Sequence, residues 1–140
     1  MKTNETLARR WLASKHWGGW RLGMVAEGGR VCAETPTGNL GLTPFSGKEG
    51  VPAELKVRTW HNSHSIPDLD HPGTRAFLLE DVRRAWGDPH VHPSNFLEYT
   101  KMVPGPMVWS VSLWVAVPDG LDIEAPTEAA ALIAALEAAP

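Results

Sequence analysis

Apolar residues recur at intervals of three or four along parts of this chain, a spacing typical of helices with one buried face. The pattern predicts helices over residues 3–15, 71–86 and 128–138. Asp70 is the expected cap of the second helix, with Pro72 in its first turn and Gly87 just beyond its end. Thr127 is the expected cap of the third.

The polar positions of these helices predict which sides face water. In the second helix, the polar side is expected to hold Glu80, Asp81, Arg83 and Arg84. The first helix has two candidate caps, Thr3 and Asn4. A carboxylate at the start of a helix is stabilised by the unpaired N–H groups there, so we interpret Asp68 and Asp70 as structural rather than catalytic.

Other segments predict strands. Along residues 108–117, successive side chains would point to opposite faces of a strand, which places the large apolar Trp109, Val111 and Leu113 on one face. A glycine pair, Gly28-Gly29, favours a hairpin with arms over 20–26 and 30–34. Shorter strands are predicted over 56–60 and 95–101. The expected fold class is therefore α+β, with a small, mostly antiparallel sheet of about four strands packed with three helices.

Two stretches rich in glycine and proline predict irregular structure. Residues 35–65 are expected to form a long loop, and residues 88–106 carry four prolines and also favour a loop. Neither composition nor pattern indicates a linker between domains. With 140 residues, the chain is expected to form a single α+β domain over 1–140.

Composition narrows the classes of partner. The formal net charge is −3 and no basic run exceeds two residues, which disfavours general nucleic-acid binding. Cys32 is the sole cysteine, so no intramolecular disulfide can form, as suits a reducing cytoplasm. No stretch approaches the ~20 apolar residues of a membrane-spanning helix. We therefore expect no membrane partner.

The second half of the chain has a recognisable order of motifs. Residues 66–74 lead into the second helix, which ends in Arg83-Arg84-Ala85-Trp86-Gly87. A Trp-Ser-Val strand follows, and the chain closes in the alanine-rich helix after Thr127. This order resembles a family of small bacteriophage and prophage proteins described as a phage α-β-α sandwich domain. The resemblance implies an accessory protein of the infected bacterial cytoplasm, with an anti-defence role and no catalytic signature.

Enzymatic chemistry finds little support in the motifs. His61 and His64 have a spacing that zinc sites use on helices, but Asn62 and Ser63 between them disfavour a helix. There is no Gly-x-Ser-x-Gly nucleophile motif and no dinucleotide or phosphate-loop fingerprint. We expect no metal site, no cofactor and no turnover.

One set of aromatic and basic residues suits a small nucleotide. A base can stack on Trp60, while Arg58, Arg21, His61 and His64 are suited to phosphates. The leading hypothesis is stoichiometric capture of a nucleotide-type signal, in a pocket that a homo-oligomer could complete. The competing interpretation is that tryptophans of this chain fill the core, among them Trp20, Trp86, Trp109 and Trp114.

A second function stays open. The protein is alternatively an inhibitor that binds a host enzyme, such as RNA polymerase or a defence effector. Exposed Trp17, Phe45 and Trp60 would then anchor the contact, because aromatic side chains dominate the energetics of protein interfaces.

Overall fold

The computed structural model describes residues 3–28, 31–34, 40–43, 65–100, 103–113 and 120–140. These residues contain three helices: α1 (Thr3–Ala13), α2 (Pro72–Trp86) and α3 (Glu128–Ala138). They also contain strands β1 (Val31–Glu34), β2 (Leu40–Thr43), β3 (Pro93–Thr100), β4 (Val103–Ser112) and β5 (Asp122–Ala125). β1 pairs with β2, and β3, β4 and β5 form a sheet in that order, every pair being antiparallel. The α+β class is confirmed.

The chain divides into two compact units whose segments alternate along the sequence. One unit contains Met1–Leu12 and Gly18–Phe77, and the other contains Ala13–Trp17 and Leu78–Pro140. Each unit is described by itself below. The single domain over 1–140 stays a prediction.

In the first unit, β1 pairs with more than one segment. Besides the β1–β2 ladder, Val31 forms a single bridge with Val25, and the Cys32 backbone N–H donates to the Met24 carbonyl at 2.8 Å. The predicted first arm over 20–26 is not a strand, because the chain turns at Gly23, whose φ of +90° is the left-handed conformation that glycine tolerates. The buried apolar side chains of this unit are Leu7, Ala8, Trp11, Trp20, Met24, Val25, Ala26, Cys32 and Leu69.

The long loop predicted over 35–65 needs one correction. Leu40–Thr43 forms β2, in register with β1 from Leu40 opposite Glu34 to Thr43 opposite Val31. Backbone pairing to a neighbouring strand outweighed the glycine and proline content on which the loop prediction rested. The rest of that loop, 35–39 and 44–64, lies outside the described residues, as does the strand predicted over 56–60.

Helix α2 starts and ends almost where the sequence predicts, but its cap differs. The residue before the first helical position is His71, and its ring Nδ1 accepts from the Gly73 backbone N–H at 3.2 Å. Asp70, the predicted cap, lies one residue too early and accepts a hydrogen bond from the Asn4 side chain instead. Asn4 in turn lies inside α1 and does not cap it. Gly87 follows the helix with a φ of +64°, as predicted.

In the second unit, α3 packs on all three strands of the β3–β4–β5 sheet. Its predicted cap is confirmed, because Thr127 Oγ1 accepts from the Ala130 backbone N–H at 3.1 Å. The Trp86 indole donates to the Ala135 carbonyl at 2.8 Å and ties the end of α2 to α3. The large buried apolar side chains of this unit are Leu78, Val82, Val91, Val111, Leu113, Leu132, Ile133 and Leu136.

The loop predicted over 88–106 is partly wrong. It contains β3, which confirms the strand predicted over 95–101, and the first residues of β4. Pro93 is compatible with this because it is the first residue of a strand at the sheet edge, where a missing N–H costs no pairing. β4 begins earlier than the predicted 108 and ends at Ser112; residues 114–119 lie outside the described chain.

Candidate functional sites

Of the five residues predicted to bind a nucleotide, the structure describes one, Arg21. Arg58, Trp60, His61 and His64 lie outside the described residues. Arg21 is held in place within the first unit, with Nε donating to the Gly19 carbonyl at 3.2 Å and the guanidinium carbon 5.2 Å from the centre of the Phe77 ring. The five-residue site therefore stays a prediction.

The tryptophans differ in burial. Trp20 is buried, as the core interpretation expects, and Trp11 is fully buried although that interpretation did not name it. Trp17, Trp86 and Trp109 are half-buried. Part of the aromatic content of the described residues thus fills the core, and part reaches the surface.

Cys32 has the properties of an inert thiol. Its side chain is buried in the first unit, and burial raises the pKa of the thiol above its ordinary value of 9.0. Because the thiolate is the reactive form, a protonated and enclosed sulfur is unsuited to nucleophilic catalysis at neutral pH.

A surface pocket of about 230 Å³ lies in the first unit, lined by Asn4, Glu27, Gly28, Asp68 and Asp70. Its lining carries three carboxyl groups, so a phosphate would be repelled there. The Asp70 backbone N–H donates to Asp68 Oδ1 at 3.0 Å, and Asn4 donates to Asp70, so hydrogen bonds within the lining already engage two of the three carboxylates. Among the described residues, no three His, Cys, Asp or Glu side chains are grouped to hold a metal ion.

The carboxylate of one ion pair in the second unit was placed wrongly from the sequence. Asp81 was expected on the water-facing side of its helix, but its side chain is fully buried. Arg84 Nη2 donates to Asp81 Oδ1 at 2.7 Å and to the His16 carbonyl at 3.1 Å. We call Asp81, Arg84 and the turn 14–17 the arginine corner. Thr74, Leu78 and Val82 are buried along one stripe of the helix, and Asp81 lies three residues after Leu78 on it.

The face of the β3–β4–β5 sheet that carries Val111 is apolar beyond the core. Leu97 pairs with Met107 across the two strands, and Trp109 lies between Met107 and Val111 on the same face. Exposure along β4 rises from 0% at Val111 to 44% at Met107, and Leu97 is 43% exposed. We call Leu97, Met107 and Trp109 the apolar strip. The alternation of side chains along residues 107–111 indicates this face from the sequence. Only the pairing of β3 with β4 shows that Leu97 belongs to it.

Compared with family models, curated proteins and solved structures, this chain matches none. The resemblance to phage proteins therefore stays a prediction. None of the helices in the described residues combines the length and the apolar content needed to cross a membrane.

Proposed function

We propose that this protein acts by stoichiometric binding to another protein and not by turnover. The observation that supports the proposal is the apolar strip, in which two large aliphatic side chains are more than two-fifths exposed beside a half-buried tryptophan. Exposed leucine and methionine beside a partly accessible tryptophan on one sheet face form the kind of surface that proteins use as interfaces.

The chemistry of the strip defines the partner's contact surface. All described positions of this face on β3 to β5 near the strip are uncharged, including Asn95, Val111, Ile123 and Ala125. The neighbouring carboxylates Asp122 and Glu124 alternate with them and belong to the opposite face. An uncharged apolar patch of the partner would desolvate this surface without leaving a buried charge unpaired. With the resemblance to phage accessory proteins, this favours inhibition of a host enzyme in the cytoplasm of an infected bacterium.

Site-specific cross-linking tests the proposal. A photoreactive amino acid at position 107 is expected to cross-link one host protein, which is then purified and titrated with the unmodified chain. Met107→Glu is expected to raise the Kd at least tenfold, because it places a charge in a desolvated contact. Phe96→Glu is the matched control, because it introduces the same charge at a residue of similar exposure, 42%, on the opposite face of the sheet. It is expected to change the Kd less than about twofold, since it lies outside the contact.

Two results would contradict the proposal. Equal weakening by both substitutions would indicate that added charge, and not the strip, governs binding. A cross-link to a second copy of the chain, with the mass of a dimer in sedimentation, would make the strip a contact of a homo-oligomer.

Capture of a nucleotide-type signal is the second candidate function. The observation that favours it is the restraint on Arg21: a guanidinium already held over the Phe77 ring and by the Gly19 carbonyl loses little further freedom when a phosphate binds. A panel of cyclic and linear nucleotides tests this function by melting temperature. A true ligand raises the melting temperature with concentration, because it binds only the folded state. Trp60→Ala is expected to abolish the rise, and the function is refuted if no nucleotide in the panel produces one.

A further inference from the structure

We propose that the arginine corner binds the phosphate group of a small anionic ligand. The inference is independent of the apolar strip, which lies on the β3–β4 strands, and of the predicted set around Trp60. It rests on how the Arg84 guanidinium is held, on which nearby charges reach the surface, and on an unsatisfied nitrogen of His16.

The guanidinium of Arg84 is fixed by acceptors from two segments. Asp81, one turn earlier in α2, is fully buried and accepts from Nη2 at 2.7 Å, while the His16 carbonyl accepts from the same nitrogen at 3.1 Å. These two bonds use both hydrogens of Nη2. Among the described residues nothing else accepts from Arg84, so Nε and Nη1 keep their N–H groups for a ligand.

The two members of this pair differ in exposure. A buried carboxylate must be compensated for its lost hydration, yet its partner is 53% exposed and so reaches solvent. Anchored at one nitrogen and open at the others, Arg84 is a pre-oriented donor of charge-assisted hydrogen bonds. Phosphate oxygens are the acceptors that planar guanidinium groups match well.

The charges around the corner favour an anion with more than one negative charge. Lys15, in the turn, is exposed, and Arg83 precedes Arg84 at the end of α2. The carboxylates Asp81 and Asp88 in this region are both buried, at 0% and 3% exposure. In the turn 14–17 and the last two turns of α2, Lys15, Arg83 and Arg84 thus reach the surface at least in part, against one exposed carboxylate, Glu80. This excess of cations favours a phosphate dianion over a single carboxylate.

His16 supplies a second, separate observation. Its ring Nε2 is enclosed and has no hydrogen-bond partner among the described residues. Buried polar atoms are nearly always bonded, so an exception needs an explanation. The His16 carbonyl is bonded to Arg84, so the unsatisfied nitrogen belongs to the residue that forms one side of the corner.

Nuclear magnetic resonance of the Arg84 Nε–H tests the site during a titration with inorganic phosphate at constant ionic strength and neutral pH. A saturable shift is expected in the unmodified chain. The double variant Asp81→Asn/Arg84→Gln retains a hydrogen-bonding pair without charges, and phosphate affinity measured by calorimetry is expected to fall at least tenfold. Arg84→Lys keeps the charge, and a several-fold weaker affinity is expected because the planar donor set is lost.

The matched control uses a second arginine–carboxylate pair, in α1. Arg9 Nη2 lies 3.1 Å from Glu5 Oε1 and the Arg9 side chain is 55% exposed, close to the 53% of Arg84. Glu5→Gln/Arg9→Gln therefore makes the same chemical change on the surface. The affinity for phosphate is expected to stay within about twofold of that of the unmodified chain, because an exposed ion pair contributes little to the fold. The proposal is overturned if this control lowers the affinity for phosphate as much as the corner variant does. It is also overturned if the Arg84 signal shows no saturable shift, or if acetate binds as tightly as phosphate.

Discussion

Replacing Leu78 with alanine is expected to lower the free energy of unfolding by about 3 kcal/mol, because the change removes buried methyl groups and leaves a cavity. The Leu78 side chain is 0% exposed within the second unit. Urea denaturation with linear extrapolation measures the difference, and an unchanged slope shows that stability itself has changed. This is the largest effect that we expect from a single apolar truncation in α2.

The adjacent leucine is the control. Leu79 is half-buried in the same helix, so Leu79→Ala changes helix propensity and side-chain size identically but removes less buried area. We expect a loss of about 1 kcal/mol for this variant, in proportion to the area that leaves water. Equal losses for the two variants would contradict the complete burial of Leu78.

Arg84→Ala is expected to lower the free energy of unfolding by about 2–3 kcal/mol, because it removes the ion pair of a carboxylate that has no access to water. The Asp81 side chain is 0% exposed, and its contact with Arg84 is 2.7 Å long. Most of the expected loss comes from the buried charge of Asp81, which loses the compensation that Arg84 provides, and not from contacts of the half-exposed arginine. Chemical denaturation at neutral pH measures it.

Two comparisons isolate this cause. Arg9→Ala breaks an ion pair of 3.1 Å whose carboxylate partner is 25% exposed, and we expect a loss below about 0.5 kcal/mol, as surface pairs show. Asp81→Asn/Arg84→Gln removes the charge together with its partner and is expected to recover much of the stability that Arg84→Ala loses. Similar losses for Arg84→Ala and Arg9→Ala would contradict the burial of Asp81.

Local signals located most of the helical structure. The Thr127 cap, the whole of α3, and Pro72 and Gly87 at the two ends of α2 follow from residue types whose preferences act over a few positions. The cap of α2 was missed by one residue, because the sequence offers Asp70 and His71 side by side. The bond from Asn4, 66 positions away, engages Asp70, and no local rule anticipates it.

Strand predictions were less accurate, since pairing joins distant residues. β2 pairs with β1 although its residues lie in a stretch typical of loops, and β5 had no clear local pattern. Residues 20–26 had the composition of a strand, but the turn at Gly23 leaves only single bridges to Val31 and Pro67. In each case the partner strand, and not the segment itself, decided the outcome.

The candidate sites were also only partly predictable from the sequence. The residues predicted to bind a nucleotide were chosen by type, and of these the structure describes Arg21 alone, restrained by Phe77. The periodicity of α2 could have placed Asp81 on its buried stripe, but a charged residue was assigned to water by default. That Arg84 also contacts the His16 carbonyl, 68 residues away, is visible only in the folded chain.

By itself, the sequence determined the fold class, the positions of the three helices to within a few residues, and the low density of catalytic motifs, because these depend on residue type and short-range periodicity. The tertiary structure alone decided which strands pair, that Asp81 is buried, and that Leu97, Met107 and Trp109 share one exposed face. The physical reason is that burial and strand register depend on contacts between residues far apart in the chain, and such contacts leave no periodic signal in the segments that make them.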